Sequence, residues 1–259
     1  MAGSVVTELE TPLAVVTIDR PEVRNALDAR MLDDLDQAFA ALARESGVRA
    51  VILTGAGKAF VAGADIKAML DFTQEQALAF ARRGQQVFGR IARFPHPVLA
   101  AVNGPALGGG CELALACDLR IGSDLAKLGQ PEVKLGTMPG FGGTQRLARI
   151  VGRSKAKYLL FTGEAIPAAR ALELGLLDEV VAPDQLLPRC REIARAIAVR
   201  APVAVSCCKE AIDLGGDADL ARGLGHEAEL FARTFATADR KAGMKAFLDK
   251  RDDVQFQGV

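Results

Sequence analysis

Three times along this chain a short apolar strand runs into a glycine-rich loop that opens a helix, and a chain so built folds as a coiled succession of α/β units around one core. The first strand, residues 50–54, leads through Gly55-Ala-Gly-Lys-Ala-Phe-Val-Ala-Gly-Ala-Asp65 into a helix predicted over 74–92, where Thr73 and Gln76 have the spacing of a capping box. The second, 98–102, leads through the loop 103–110 into an apolar helix that starts near Cys111 and Glu112. The third, 119–122, leads past Glu132 to Pro139-Gly-Phe-Gly-Gly143 and a helix over 144–151. Ahead of these units, residues 5–9 and 13–18 read as a hairpin around Thr11-Pro12. A helix follows, capped by Asp28, with Leu32, Leu35, Phe39 and Leu42 as its apolar stripe and Gly47 as its stop. From residue 183 onward the pattern is almost wholly helical, with candidates at 185–199, 203–214, 220–235 and 240–249 that suit an assembly element.

Two carboxylates stand in the glycine-rich surroundings. Glu112 follows Gly-Pro-Ala-Leu-Gly-Gly-Gly-Cys, and Glu132 lies in Gly-Gln-Pro-Glu-Val-Lys-Leu-Gly-Thr-Met-Pro-Gly. Carboxylates move protons, and glycines let a reacting group approach the backbone closely enough to bond its amides. The pairing points to acid/base chemistry on a carbonyl compound, whose oxygen needs preorganised donors while a carboxylate handles the proton. Taken singly, Glu112 could be a helix-dipole partner and Glu132 a solvated loop carboxylate. Three consecutive glycines, Gly108, Gly109 and Gly110, are more than a tight turn needs.

Several function classes are disfavoured. Thirty-two basic and thirty-two acidic residues leave no net charge to recruit nucleic acid or an anionic membrane. The longest uncharged stretch, 94–111, is broken by Pro95, Pro97 and Pro105, so it reads as strand and loop and not as a membrane span. The first residues lack the features of a signal or transit peptide, so a cytoplasmic location is expected. Cys111, Cys117, Cys190, Cys207 and Cys208 show no Cys-x-x-Cys spacing, and His96 and His226 form no ligand pair, so reduced thiols and no metal are expected. Ala59 stands where a phosphate loop needs Ser or Thr after Lys58, and neither glycine cluster fits the dinucleotide fingerprint. No Gly-x-Ser-x-Gly elbow is present for a serine hydrolase.

Five further segments occur in order: Arg20-Pro-Glu-Val-Arg-Asn-Ala-Leu27, Ala62-Gly-Ala-Asp-Ile66, Asn103-Gly-Pro-Ala-Leu-Gly-Gly-Gly-Cys-Glu-Leu-Ala114, Gly129-Gln-Pro-Glu132 through Gly143-Thr-Gln-Arg-Leu147, and Gly243-Met-Lys-Ala-Phe-Leu-Asp-Lys-Arg251. Together they resemble the crotonase superfamily, the enoyl-CoA hydratase/isomerase enzymes, over nearly the whole chain. The resemblance implies an α/β spiral of repeated strand-strand-helix units over residues 1–195 that carries the active site. It implies a helical region over 196–259 that builds a homotrimer or a homohexamer of paired trimers.

The same resemblance implies an acyl-CoA substrate, with coenzyme A as part of the substrate and no other cofactor. The thioester oxygen would be held by the amides of Ala64 and Gly109. Glu132 would protonate the α-carbon, Glu112 would hold and activate the attacking water, and the Gly140 amide would help position it. Isomerases and other branches commonly lack one of the two acids, so hydration of a trans-2-enoyl-CoA is favoured over isomerisation, decarboxylation or a non-catalytic RNA-binding role. Arg24, Lys58, Ala62, Asp65, Ile66 and Lys67 match positions around the coenzyme, and Phe247 and Lys250 match residues that reach the coenzyme of a neighbouring subunit. Met69, Leu70, Leu107 and Leu115 are candidates for the acyl pocket, and Phe141 resembles members specific for the short crotonyl chain.

Overall fold

The computed structural model describes residues 4–259. Strands β1 (Ser4–Glu10) and β2 (Leu13–Asp19) pair antiparallel as the expected hairpin. Helix α1 (Ala29–Leu42) starts at Asp28, whose carboxylate accepts the Met31 N–H at 2.8 Å, and buries Leu32, Leu35, Phe39 and Leu42. It stops short of Gly47, because the chain already turns through bonds from Arg44 N to Ala41 O and from Glu45 N to Leu42 O. After β3 (Ala50–Gly55) come the short α2 (Ile66–Met69) and α3 (Gln74–Ala92). Both arms of the capping box form, from Gln76 N to Thr73 Oγ1 at 3.2 Å and from Thr73 N to Gln76 Oε1 at 2.8 Å.

The next two units each add a second strand before the helix. They run β4 (Val98–Val102), β5 (Pro105–Leu107) and α4 (Gly109–Leu115), then β6 (Leu119–Ser123), β7 (Lys127–Gly129), a 3₁₀ turn (Pro131–Leu135) and α5 (Gly143–Val151). Sequence periodicity did not reveal β5, β7 and β8 (Ala165–Pro167), because strands of three residues are too short to show alternation. Two short helices, α6 (Arg153–Thr162) and α7 (Ala168–Glu173), and strand β9 (Glu179–Val181) complete this part. Four helices close the chain: α8 (Leu186–Ala198), α9 (Pro202–Gly216), α10 (Leu220–Thr234) and α11 (Ala238–Leu248).

The strands sort into two sheets. Six form the order β1-β2-β3-β4-β6-β9, parallel from β2 onward, and three form β5-β7-β8. In the second and third units the chain therefore steps from the large sheet to the small one, and the glycine clusters 108–110 and 140–143 lie beyond the small-sheet strand, where the chain enters α4 and α5. All six residues of β3 and all five of β4 are buried, as expected of parallel strands covered on both faces. Ala14, Val16, Val51, Leu53 and Ala100 face the main core with α1 and α3. Leu13, Val15, Ile52, Leu99 and Ala101 face α8 through Leu186, Cys190 and Ala194.

One buried amide ties the first loops together. Asn25 is fully buried with φ 61°, a left-handed conformation that asparagine tolerates better than most residues. Its Oδ1 accepts the Arg20 N–H at 2.9 Å, and its Nδ2 donates to the carbonyls of Ala56, Ala59 and Phe60 at 2.9 to 3.1 Å. Asn25→Ala would strand these buried carbonyls, and it is expected to lower the unfolding free energy by about 1–3 kcal/mol in urea titration.

Candidate active site

The two glutamates converge on one cleft of about 840 Å³, together with Ala64, Gly109 and Gly140. Glu112, at the start of α4, is 1% exposed. Its Oε1 accepts the Phe141 N–H at 2.8 Å and the Gly143 N–H at 2.6 Å. Gly143 is the first residue of α5, so the carboxylate also faces a helix N-terminus, where the aligned peptide dipoles favour negative charge. Burial nevertheless pushes the Glu112 pKa up, against the pull of these two donors and of Arg146. A side chain at position 143 would begin 2.9 Å from Glu112 Oε1, which explains glycine there.

Glu132 lies in the 3₁₀ turn after β7, and burial raises its pKa to about 7, with the Glu112 charge adding to the shift. Gly108 (φ 50°) makes room for it, since a Cβ there would sit 2.9 Å from Glu132 Oε1. Gln130 is a site residue that the sequence motif contained but that no spacing argument singled out. It is buried, and with its amide nitrogen facing the carboxylate, the orientation that satisfies both ends of the amide, it donates to Glu132 Oε1 at 2.9 Å and to Oε2 at 3.3 Å.

The candidate oxyanion donors are set by backbone register. An isolated parallel bridge joins Val61 to Ala106, through Leu107 N to Val61 O at 3.0 Å and Val61 N to Pro105 O at 3.2 Å. Ala64 and Gly109 each lie three residues beyond that bridged pair, and a Cβ on Gly109 would be 3.5 Å from Ala64 N. Among the described residues, neither the Ala64 nor the Gly109 N–H has a backbone carbonyl partner, and the same is true of Gly140. A Cβ at Gly110 would overlap the Val61 carbonyl oxygen, so the third glycine serves the approach of the two segments. Two amides without backbone partners on the wall of a cleft that holds two carboxylates of raised pKa can polarise a carbonyl and exchange protons next to it.

The remaining candidates divide. Ala62, Ile66, Met69 and Leu70 line this cleft, and the Arg24 carbonyl accepts the Ala62 N–H at 3.0 Å, which brings Arg24 to its rim. The Lys58 and Lys67 side chains are exposed. The Asp65 carboxylate is engaged within the protein, capping α2 through Lys67 N and Ala68 N and pairing with Arg20 at 3.1 Å. Leu115 lines a second cavity of about 940 Å³ between α4, α8 and α9, and Leu107 is not among the walls of the cleft that holds Glu112 and Glu132. Its apolar walls include Phe72, Phe80 and Phe141. Phe247 is 82% exposed, and Lys250 follows α11 with φ 53°. The Cys111 thiol, next to Glu112, is pushed by burial up to about 12 and stays protonated at neutral pH. Among the described residues no cluster of His, Cys, Asp and Glu could hold a metal ion, and no helix is long and apolar enough to cross a membrane.

A family model described as enoyl-CoA hydratase/isomerase matches residues 8–258. The chain belongs to the enoyl-CoA hydratase/isomerase family. It is 49% identical over 250 residues to a short-chain-enoyl-CoA hydratase of Clostridium acetobutylicum, covering 96% of each protein. It is 47% identical over 249 residues to a crotonyl-CoA hydratase of Syntrophomonas wolfei, again covering 96% of each. Among solved structures, an enoyl-CoA hydratase from Bacillus anthracis superposes with a TM-score of 0.95 at 39% identity, over 99% of this chain and 100% of that one. The family's two-sheet spiral thus matches the strand-strand-helix architecture described above.

Two outcomes follow from the packing of the carboxylates. Gly108→Ala should displace Glu132 and lower turnover about 10²-fold, read as kcat for an enoyl thioester, with the fold intact by circular dichroism. Glu132→Gln should raise the melting temperature at pH 8 and leave it nearly unchanged at pH 4. The sign follows from a folded-state pKa raised from 4.5 to about 7: the neutral form suits the fold, and stability is lost as the carboxyl ionises.

Proposed function

We propose that this protein is an enoyl-CoA hydratase that adds water reversibly to a trans-2-enoyl-CoA to give a 3-hydroxyacyl-CoA, with short acyl chains such as crotonyl preferred. The observation that carries the reading is the convergence of Glu112 and Glu132 on a cleft that also presents two unpaired amides. The Ala64 and Gly109 amides hold the thioester oxygen, and loss of one such donor typically costs about 3–4 kcal/mol of transition-state stabilisation. Glu112 accepts a proton from water as its oxygen attacks the β-carbon, while Glu132 delivers a proton to the α-carbon. Solvent exchange then restores both carboxyls. Only protons and water move, and coenzyme A is part of the substrate.

Burial raises the Glu112 carboxyl while its fixed donors pull it back down, and Glu132 is raised to about 7, so on this reading Glu112 serves as the base and Glu132 as the acid. Arg24 and the exposed Lys58 and Lys67 are proposed as the cations that meet the coenzyme's phosphates. The preference for short chains is supported by the aromatic end of the cleft, where Phe72, Phe80 and Phe141 pack edge to face, and by the short-chain and crotonyl-CoA names of two relatives.

The assembly is proposed as a homotrimer or a homohexamer of paired trimers. Leu220, Phe231, Phe247 and Leu248 on α10 and α11 are 64% to 82% exposed, a density of large apolar side chains that suits a covered surface. Phe247 and Lys250 would then reach a neighbouring subunit's coenzyme. Light scattering should give three or six times the 27.3 kDa chain mass, and a monomer would remove this assignment.

Glu112→Gln and Glu132→Gln should each lower kcat about 10²–10⁴-fold, followed as decay of the conjugated enoyl thioester absorbance. Full activity in either variant would sink the mechanism. Hydration needs Glu132 protonated, so its kcat/KM should fall as pH rises through about 7, and dehydration of the 3-hydroxyacyl thioester should gain over the same interval.

A further inference from the structure

Gly84 lies in the middle of the 19-residue helix α3, where glycine costs roughly 0.5–1 kcal/mol relative to alanine. It is buried, its conformation is helical, and its backbone makes no demand that alanine could not meet. What forbids a side chain is the ring of Phe141. A Cβ at position 84 would overlap Phe141 Cδ1 and lie 2.5 Å from Cε1 and 2.6 Å from Cγ. The opposite edge of the ring, Cδ2 and Cε2, comes within 3.3 Å of where a Cβ on Gly109 would be. Phe80 and Phe88 hold the ring edge to face, at centroid separations of 5.1 and 5.4 Å. The ring is thus wedged between α3 and the residue whose amide is the second oxyanion donor.

The same residue is tied to the catalytic machinery through its backbone. Phe141 N donates to Glu112 Oε1, its neighbour Gly140 is held through its carbonyl by Gln85 of α3 at 2.8 Å, and its own carbonyl accepts from Arg146 at 3.1 Å. Position 141 therefore has two loads, a ring that ends the apolar part of the cleft and an amide that fixes the water-holding carboxylate. Neither can shift without the other.

We infer that Gly84 is a positioning residue that sets acyl-chain selectivity: its missing side chain is the seat for the Phe141 ring, which fixes both the depth of the cleft and the aim of Glu112. The inference rests on the hydratase reading. Any side chain at 84 drives the ring toward Gly109, into the space the acyl chain would occupy, and drags the Phe141 amide with it.

The test compares the parent protein, Gly84→Ala, Phe141→Leu and the double variant on trans-2-enoyl-CoA thioesters of increasing chain length. Absence of hydration by the parent would overturn the hydratase reading itself, before any variant is compared. With an active parent, Gly84→Ala should lower kcat/KM about 10²-fold, with a steeper penalty for each added carbon and a displaced pH profile, since the Glu112 donors move. Phe141→Leu should extend the profile to longer chains. The double variant, in which the smaller side chain vacates the seat, should recover most of the activity that Gly84→Ala loses. If Gly84→Ala scales activity on every chain length by one factor with the pH profile unchanged, or if the double variant recovers nothing, the inference fails. Should Gly84→Ala not fold, the Phe141→Leu profile and the folding of the double variant decide. A double variant that folds with the extended profile supports the seat, and one that stays unfolded overturns it.

Discussion

The buried carboxylate of Glu112 holds the active end of this molecule together. A single oxygen receives two backbone amides, and through them α4, the loop before α5 and the first turn of α5 are fixed with respect to one another. An isolated carboxylate in such a place would be expensive to bury, and two hydrogen bonds from backbone amides at a helix N-terminus offset part of that cost. The compensation is incomplete, as the upward shift of its pKa shows. Glu132 is raised to about 7 by its own burial first and by the charge of Glu112 second. Two chemically identical side chains thus sit in different surroundings, one bonded by two fixed backbone amides and the other by a side-chain amide.

The glycines around the pair answer to separate demands. Gly108 combines a positive φ with the space Glu132 needs, Gly110 admits the Val61 carbonyl, and Gly143 clears Glu112. Each excludes a side chain for a different neighbour, so the three consecutive glycines at 108–110 are not a flexible hinge. They are a close-packed junction between segments from two units of the spiral.

Much of this was legible in the sequence because local signals and the tertiary fold agree. The capping box at Thr73, the stripe of α1 and the run of buried strands all express themselves within a few residues. The resemblance then brought Glu112, Glu132, Ala64 and Gly109 to one place. What the sequence left obscure depends on distant contacts. Strands β5, β7 and β8 exist because the small sheet pairs across units, and no three-residue window shows that. Leu115, a candidate for the acyl pocket, lines the second cavity. Asp65, which matches a position around the coenzyme, has its carboxylate engaged in capping α2 and pairing with Arg20. Gly84 acts only through Phe141, far along the chain, so nothing in its immediate sequence marks it, and Gln130 reaches the carboxylate two residues on only once the 3₁₀ turn has formed.

The bridge between Val61 and Ala106 has a metrical consequence. Two donors that share one oxygen, each about 2.7–3.1 Å from it, can stand no more than about 6 Å apart. Adjacent strands lie about 4.8 Å apart whatever their side chains, which falls inside that limit. The bridge brings the two backbones to that spacing at Val61 and Ala106, and three residues on a Cβ at Gly109 would still lie 3.5 Å from the Ala64 nitrogen. The nearness of the Ala64 and Gly109 amides is a matter of how closely two backbones approach, and it is written nowhere in the identity of Ala64.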